Sequence, residues 1–187
     1  YGPNDNFDLE KAHVLPALLR KIHLGKALEQ GDWQEIRADL KQKNKKIVFT
    51  NGCFDLLHTG HIHLLQAAAK EGDRLVVGLN TDNSIRELKG PSRPVLAEND
   101  RAAILAALEC VDMVVLFSEK TPIVLIQTFR PDVIVKGQDY LKEEIVGGAM
   151  VEKWGGKVVL FPLEKGKSTS SLINSISNAL KPSNIEP

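Results

Sequence analysis

Ile47-Val-Phe-Thr-Asn-Gly-Cys-Phe-Asp-Leu-Leu-His-Thr-Gly-His61 is the stretch on which the fold of this chain turns. The apolar, β-rich run Ile47 to Phe49 reads as a strand. A short polar turn at Thr50, Asn51 and Gly52 follows, and an apolar helical stretch opens at Gly60. A strand feeding a glycine-containing turn that opens a helix is a phosphate-binding geometry. The unpaired N–H groups of the first helical turn and the helix dipole both face the anion. His58 and His61 stand three apart with Gly60 between them. At that spacing two side chains share a helix face, so both imidazoles can reach one phosphate. Lone histidines are ordinarily surface or core residues; strand, turn and glycine together favour one site here.

Outward from this stretch the chain alternates strand and helix. The predicted strands are Ile47–Phe49, Arg74–Leu79, Met113–Phe117, Val133–Val135 and Lys157–Leu160. The predicted helices are Gly60–Lys70, Glu98–Leu108, Thr121–Phe129, Glu143–Trp154 and Ser168–Leu180, with Thr121 as a cap and Pro122 at the first helical position. Near-continuous apolar strands such as Met113 to Phe117 suit a parallel sheet covered on both faces. The expected fold is therefore α/β: a Rossmann-like, doubly wound, five-stranded parallel sheet of right-handed βαβ units. Residues 1–10 read as a loose terminus, and residues 11–30 as a helix with Leu15, Leu18, Leu19 and Ile22 on one side. A break at Gly31 precedes a short helix carrying Trp33, Ile36 and Leu40. The expected organisation is a helical extension over 1–45 that packs on the domain or on a second subunit, a domain over 46–181, and a tail over 182–187.

Bulk properties narrow the function. A chain of 187 residues with 43% hydrophobic composition can bury a full core. Lys plus Arg equals Asp plus Glu at 24 each, so no overall basic field exists to hold nucleic acid. The tract Lys41, Lys43, Lys45 and Lys46 reads as a solvated helix end or linker. Two cysteines, Cys53 and Cys110, are no disulfide framework and fit a reducing compartment. No apolar run approaches the roughly 18–20 residues that span a membrane. A cytoplasmic protein is expected, although the chain opens on Tyr1 and not on methionine.

Three further clusters follow predicted strands. Residues 80–97, with Lys89, Gly90, Pro91, Ser92, Arg93 and Pro94, are longer than the roughly 12–15 residues usual for an inert connection. In an open parallel sheet ligands sit at the carboxyl ends of strands, so this segment reads as a mobile basic lid. Lys136-Gly137-Gln138-Asp139-Tyr140 offers a glycine for close backbone approach, an acceptor and a stacking ring. Glu164 to Ser171 places two lysines, a glycine and four hydroxyls at a helix start, a second anion site. Other chemistries lack their residues. No Cys or third His lies at zinc-ligand spacing from the histidine pair, and no GxSxG, GxGxxG or Walker spacing occurs. Cys53 has no partners to complete a nucleophilic triad.

Residues 47–175 resemble the HxGH nucleotidyltransferases of the cytidylyltransferase-like group. The resemblance runs through Thr50 to His61, Asn80-Thr81-Asp82, Arg101 and Lys167-Ser168-Thr169-Ser170. Within that group the chain is most similar to the heptose 1-phosphate adenylyltransferases of ADP-heptose synthesis, through residues 88–95, 106–112 and 131–140. The resemblance implies transfer of AMP from ATP to D-glycero-D-manno-heptose 1-phosphate, with Mg²⁺ on the triphosphate. His58 and His61 would stabilise the charge developing on the phosphates. Asn51, Gly52, Cys53, Phe54, Asp55 and Gly60 would cradle them, and Ser168, Thr169 and Ser170 would hold them from the far side. Lys136, Gly137 and Asp139 would lie at the base or ribose. Lys89 and Arg101 are implied as catalytic, with Arg93 and Asp82 beside Lys89 on the sugar phosphate. A homodimer served by residues 11–45 is also implied, as is a separate sugar kinase, since residues 1–45 cannot hold one.

The chemistry agrees. A sugar phosphate is already a nucleophile at neutral pH, so no strong general base is required. Catalysis reduces to aligning two polyanions and stabilising an in-line transition state at the α-phosphorus. Glycerol-phosphate cytidylyltransferases carry tryptophan where Thr59 stands and arginine where Leu163 stands, which favours ATP over CTP. Cys53 stands where valine is common. Two alternatives stay open: a transferase acting on glycerol 3-phosphate, phosphoethanolamine or FMN, and a non-catalytic nucleotide-binding module.

Overall fold

The computed structural model describes residues 30–162 and 168–179. The expected loose terminus, the helix over 11–30, the cluster from Glu164 to Lys167 and the tail over 182–187 lie outside the described residues. The elements in chain order are α1 (Gln30–Gln42), β1 (Ile47–Gly52), α2 (Thr59–Ala69), β2 (Arg74–Asn80), α3 (Asp82–Lys89) and α4 (Glu98–Ala106). They continue with β3 (Met113–Phe117), α5 (Ile123–Phe129), β4 (Val133–Gly137), α6 (Gly148–Lys153), β5 (Lys157–Phe161) and α7 (Thr169–Ala179). All five strands are parallel, in the order β3-β2-β1-β4-β5. The expected Rossmann-like sheet is what forms.

Alternation along each strand feeds two separate cores. Ile47 and Phe49 of β1, Val76 of β2 and Ile134 of β4 pack with Leu125, Ile126 and Phe129 of α5 and Val151 of α6. On the opposite face Val48, Leu75, Val77, Val133 and Val135 pack with Leu64, Leu65 and Ala68 of α2 and Leu105 of α4. Because both faces are covered, the strands carry no polar face, which is why they read as unbroken apolar runs. α1 belongs to the first core: Ile36 and Leu40 are each 1% exposed. Arg37 Nε also donates to Phe129 O at 3.1 Å. The described part of the expected extension is therefore an element of the domain itself.

The amino ends of three strands are held by one repeated device. Asp73, Asp112 and Asp132 each directly precede a strand, and each accepts a backbone N–H from the start of the neighbouring strand or the residue before it. Asp73 takes Lys46 N at 2.9 Å, Asp112 takes Leu75 N at 2.8 Å, and Asp132 takes Ile47 N at 2.8 Å. These N–H groups sit where the ladder has not yet begun, so a carboxylate replaces the missing carbonyl. The Lys46 N–H and the Lys45 ammonium hold the Asp73 carboxyl below its ordinary range.

Four local expectations are corrected. β1 runs on through Thr50, Asn51 and Gly52, so the turn begins at Cys53. Residues 80–97 are no single loop: α3 fills Asp82–Lys89, started by Thr81, whose hydroxyl accepts Ser84 N at 3.4 Å, and ended by Gly90 at φ 93°. Pro122, not Thr121, stands at the cap of α5. The expected helix over 143–154 is broken by Gly147, at φ 79°, into a 3₁₀ turn at Lys142–Glu144 and α6. A Cβ at Gly147 would lie 2.7 Å from Ile126 Cδ1, so that glycine lets α6 reach α5.

If α1 is part of the core, Ile36→Ala and Leu40→Ala each lower unfolding free energy by about 2–4 kcal/mol, the cost of a buried aliphatic truncation. Urea denaturation measures this, and a cost well under about 1 kcal/mol would mean that α1 is only an attachment.

Candidate active site

Strand order reverses between β1 and β4, and the two strands pair only at Val48 with Val133 and Phe49 with Ile134. Beyond those residues they part, and a crevice opens at their carboxyl ends, where open α/β sheets take ligands. Asn51 and Gly52 stand on one lip, Lys136 and Gly137 on the other. Lys136 Nζ spans the gap and donates to Asn51 O at 3.0 Å. Its ammonium lies 5.3 Å from the Tyr140 ring centroid. Burial lowers the Lys136 pKa to about 8, against the opposing pull of Asp139.

The start of α2 forms the floor. His58 occupies the N-cap in an extended conformation and offers no side-chain cap to the helix, while the His61 N–H turns back to His58 O at 2.9 Å. The His58 and His61 rings stack with centroids 3.8 Å apart and planes 21° from parallel. Phe54, at φ 43°, sets its ring 5.1 Å from His61. Gly52 makes room for that ring: a Cβ there would approach Phe54 Cε2 to 3.2 Å. Burial, then the charges of His58 and Lys89, lower the His61 pKa to about 4. Lys89, at the end of α3, thus acts on the same ring.

Across the crevice, α7 begins. Thr169 Oγ1 donates to Leu56 O at 3.4 Å, bringing this helix start beside the turn after β1. Ser168 Oγ accepts Ser171 N at 3.1 Å and caps the helix. Ser170 is exposed on the first turn, and Asp139 is exposed beyond β4. Buried polar atoms with no hydrogen-bond partner gather here: Thr50 Oγ1, Asn51 Oδ1, His61 Nδ1 and Arg93 Nη2. Buried polar groups are seldom left so. Thr50 is fully buried in β1, and its hydroxyl has no partner there.

Three expected ligand residues are engaged within the protein. Arg101 is fully buried, and its guanidinium donates to Cys53 O at 2.7 Å, Asn80 O at 2.9 Å, Leu96 O at 3.0 Å and Asp82 Oδ1 at 2.7 Å. It ties the loops around the crevice together. Asp82 is accordingly the partner of Arg101, and its own N–H goes to Glu98 Oε2 at 2.7 Å. Asp55 accepts Arg93 Nε, Val95 N at 2.7 Å and Leu96 N at 3.1 Å. Burial raises its carboxyl pKa, but these donors outweigh burial and hold it below the usual range. The expected mobile lid is thus a helix followed by a segment pinned at Asp55. Lys89 and the buried, unpartnered Arg93 Nη2 are the cationic groups this segment brings to the crevice.

Stacked imidazoles, two helix starts and a lysine at a sheet's switch point are donors arranged for phosphate; the fold and site together define a nucleotide-binding α/β protein. Residues 49–173 match the family described as Cytidylyltransferase-like, and the chain belongs to that family. It is 59% identical over 138 residues to "Bifunctional protein HldE" of Methylobacillus flagellatus and 57% identical over 134 residues to that of Gluconobacter oxydans. These alignments cover 74% and 72% of this chain but only 28% of each relative, so the chain spans about a quarter of the proteins it matches. Among solved structures, the lipopolysaccharide core biosynthesis protein of Thermoplasma volcanium is 32% identical with a TM-score of 0.54. That match covers 66% of this chain and 99% of the other. The pantoate-beta-alanine ligase of Francisella tularensis, 20% identical with a TM-score of 0.51 over 79% of this chain and 71% of the other, shares the fold.

Two measurements check this geometry. Arg101→Ala lowers stability by about 3–5 kcal/mol in urea, because Asp82 and three carbonyls lose a buried charged donor; unchanged stability would return Arg101 to the ligand-binding groups. Between pH 6.5 and 4 an unfolded chain takes up a proton that folded His61 refuses, so His61 makes stability fall with pH across that window. Denaturation at pH 7 and pH 5 should show His61→Asn less acid-sensitive than wild type by on the order of 1 kcal/mol.

Proposed function

We propose that this chain transfers AMP from ATP to D-glycero-β-D-manno-heptose 1-phosphate, releasing pyrophosphate and forming ADP-heptose for the lipopolysaccharide core. The observation that carries the reading is the stacked His58–His61 pair at the open β1–β4 switch point, with Lys89 acting on the same ring. The sugar follows from similarity to a lipopolysaccharide core biosynthesis protein and from the resemblance of residues 88–95 and 131–140 to heptose enzymes.

An oxygen of the heptose phosphate attacks the α-phosphorus of ATP. The new P–O bond forms as the bond to the bridging oxygen of the β-phosphate breaks, and the electron pair leaves with pyrophosphate. No proton has to be removed from the nucleophile. His58, His61 and the N–H groups of α2 meet the triphosphate, with Ser168 to Ser170 on its far side. A triphosphate favours protonation of His61, so binding itself supplies the cation that the leaving group requires. Lys89 and Arg93 Nη2 neutralise the sugar phosphate, while Lys136, Gly137 and Asp139 meet the base or ribose. No group of three His, Cys, Asp or Glu side chains that could cage a metal occurs among the described residues. Mg²⁺ would therefore be held chiefly by the phosphate oxygens of ATP, where it supplies charge neutralisation. The reaction is assigned to the cytoplasm, where ATP is available and the free thiols Cys53 and Cys110 persist.

Pyrophosphate release with ATP, CTP and GTP against both heptose 1-phosphate anomers, glycerol 3-phosphate and FMN tests this reading. ATP with the β anomer should give the largest kcat/KM, and preference for another pair would reassign the substrate. His58→Ala and His61→Ala should each lower turnover by about 10²-fold or more with folding intact, as loss of one transition-state donor does. Wild-type turnover in either variant sinks the proposal.

A further inference from the structure

A second cavity, of about 630 Å³, lies at the amino ends of β1, β4 and β5, on the edge of the sheet opposite the crevice. That volume falls within the range of about 300–1,000 Å³ typical of small-ligand pockets. Six cations line it: Arg37 and Lys41 of α1, Lys45 and Lys46 of the link to β1, Arg130 after α5, and Lys157 at the start of β5. Two are neutralised, Lys45 by Asp73 and Lys157 by Glu71. Asp132, the acidic residue of the described lining, already accepts Ile47 N. Arg37, Lys41, Lys46 and Arg130 therefore face a single carboxylate, a local charge of four minus one, or +3.

A charge excess of this size needs a reason, since like charges brought together repel. Helix C-termini attract cations, and Lys41 in the last turn of α1 and Arg130 at the end of α5 fit that rule. Lys46 lies at a strand start, outside its reach. The backbone adds a second observation. Asn44 and Arg130 are two of the three non-glycine residues with positive φ among the described residues, at 51° and 42°, and both line this cavity. Such conformations cost free energy and cluster at binding sites. Arg130 is further fixed over the Trp154 ring, 4.8 Å from its centroid. At Gly155, also on the wall, an added Cβ would meet nothing within 4 Å, so bare backbone borders open space.

We propose that this cavity is a binding site for a small, phosphorylated, multiply charged anion, separate from the nucleotide crevice. Guanidinium forks and ammonium point charges converging from several elements suit phosphate oxygens. The tract from Lys41 to Lys46, read from sequence as a solvated helix end, is then one wall of a site. The inference does not depend on the transfer reaction.

Calorimetric titration with inorganic tripolyphosphate at about 0.15 M ionic strength, where surface charge is largely screened, tests it. Three forms of the full chain are compared: wild type, the histidine variant His58→Ala/His61→Ala, and a lysine variant that adds Lys41→Gln/Lys46→Gln to the histidine variant and leaves the Arg130–Trp154 pair intact. The histidine variant should retain a saturable site of wild-type affinity, and the lysine variant should bind there at least tenfold more weakly. A perturbation of tryptophan fluorescence should accompany binding in the histidine variant. Loss of all binding in the histidine variant, or undiminished binding in the lysine variant, overturns the proposal. An equal response to sulfate at matched ionic strength overturns it too, since screening alone would then explain the signal. Circular dichroism confirms that each variant is folded before the comparison.

Discussion

The architecture around the crevice depends on one buried guanidinium. Arg101 lies on α4, yet its donors reach the turn after β1, the end of β2, the start of α3 and the segment that leads into its own helix. A charge without solvent is tolerated only where its donors find acceptors. Here one carboxylate and three carbonyls accept four of its five N–H donors, so the loops at the carboxyl ends of two strands are set relative to one another before any ligand arrives. Asp55 does the same for residues 93–96. Together these two groups hold Lys89 and Arg93 at the crevice on ordered backbone.

The sheet separates its work by edge. At the carboxyl ends β1 and β4 diverge, leaving room between strands and a set of polar atoms without protein partners. At the amino ends aspartates close the ladder, and basic residues crowd around them. Parallel strands make this division possible, because every strand presents the same end to the same side. The aspartates also hold the pairing in register: slipping β1 by one residue against β4 would turn away the N–H that now meets Asp132 and exchange the two apolar faces.

Much of this was legible in the sequence, for identifiable reasons. The five strands announce themselves because both sheet faces are buried and nothing polar interrupts them. The histidine pair is legible because its geometry is local, spanning a helix start and its first turn. The internal contacts of Arg101, Asp82 and Asp55 were not legible because they depend on distant closure: Arg101 and Cys53 are 48 positions apart. A charged side chain near a site looks the same in sequence whether it meets substrate or holds a loop. α3 was a different kind of miss. Thr81 at its start, Asp82 in the first turn and Gly90 at its end were standard helix signals, outweighed by the Gly-Pro-rich residues that follow. The Gly147–Gly148 break was equally available, since paired glycines rarely lie inside a continuous helix.

The low proton affinity of the crevice has one more consequence. Both His61 and Lys136 are pushed toward their neutral forms by burial, one to about 4 and the other to about 8. A polyanion entering between them would reverse that pressure and draw a proton in from solvent, chiefly onto His61. Under the proposed function, nucleotide binding is also a protonation reaction. Its affinity declines as the medium becomes more alkaline, its heat depends on the buffer that gives up the proton, and departure of the product returns that proton to the medium.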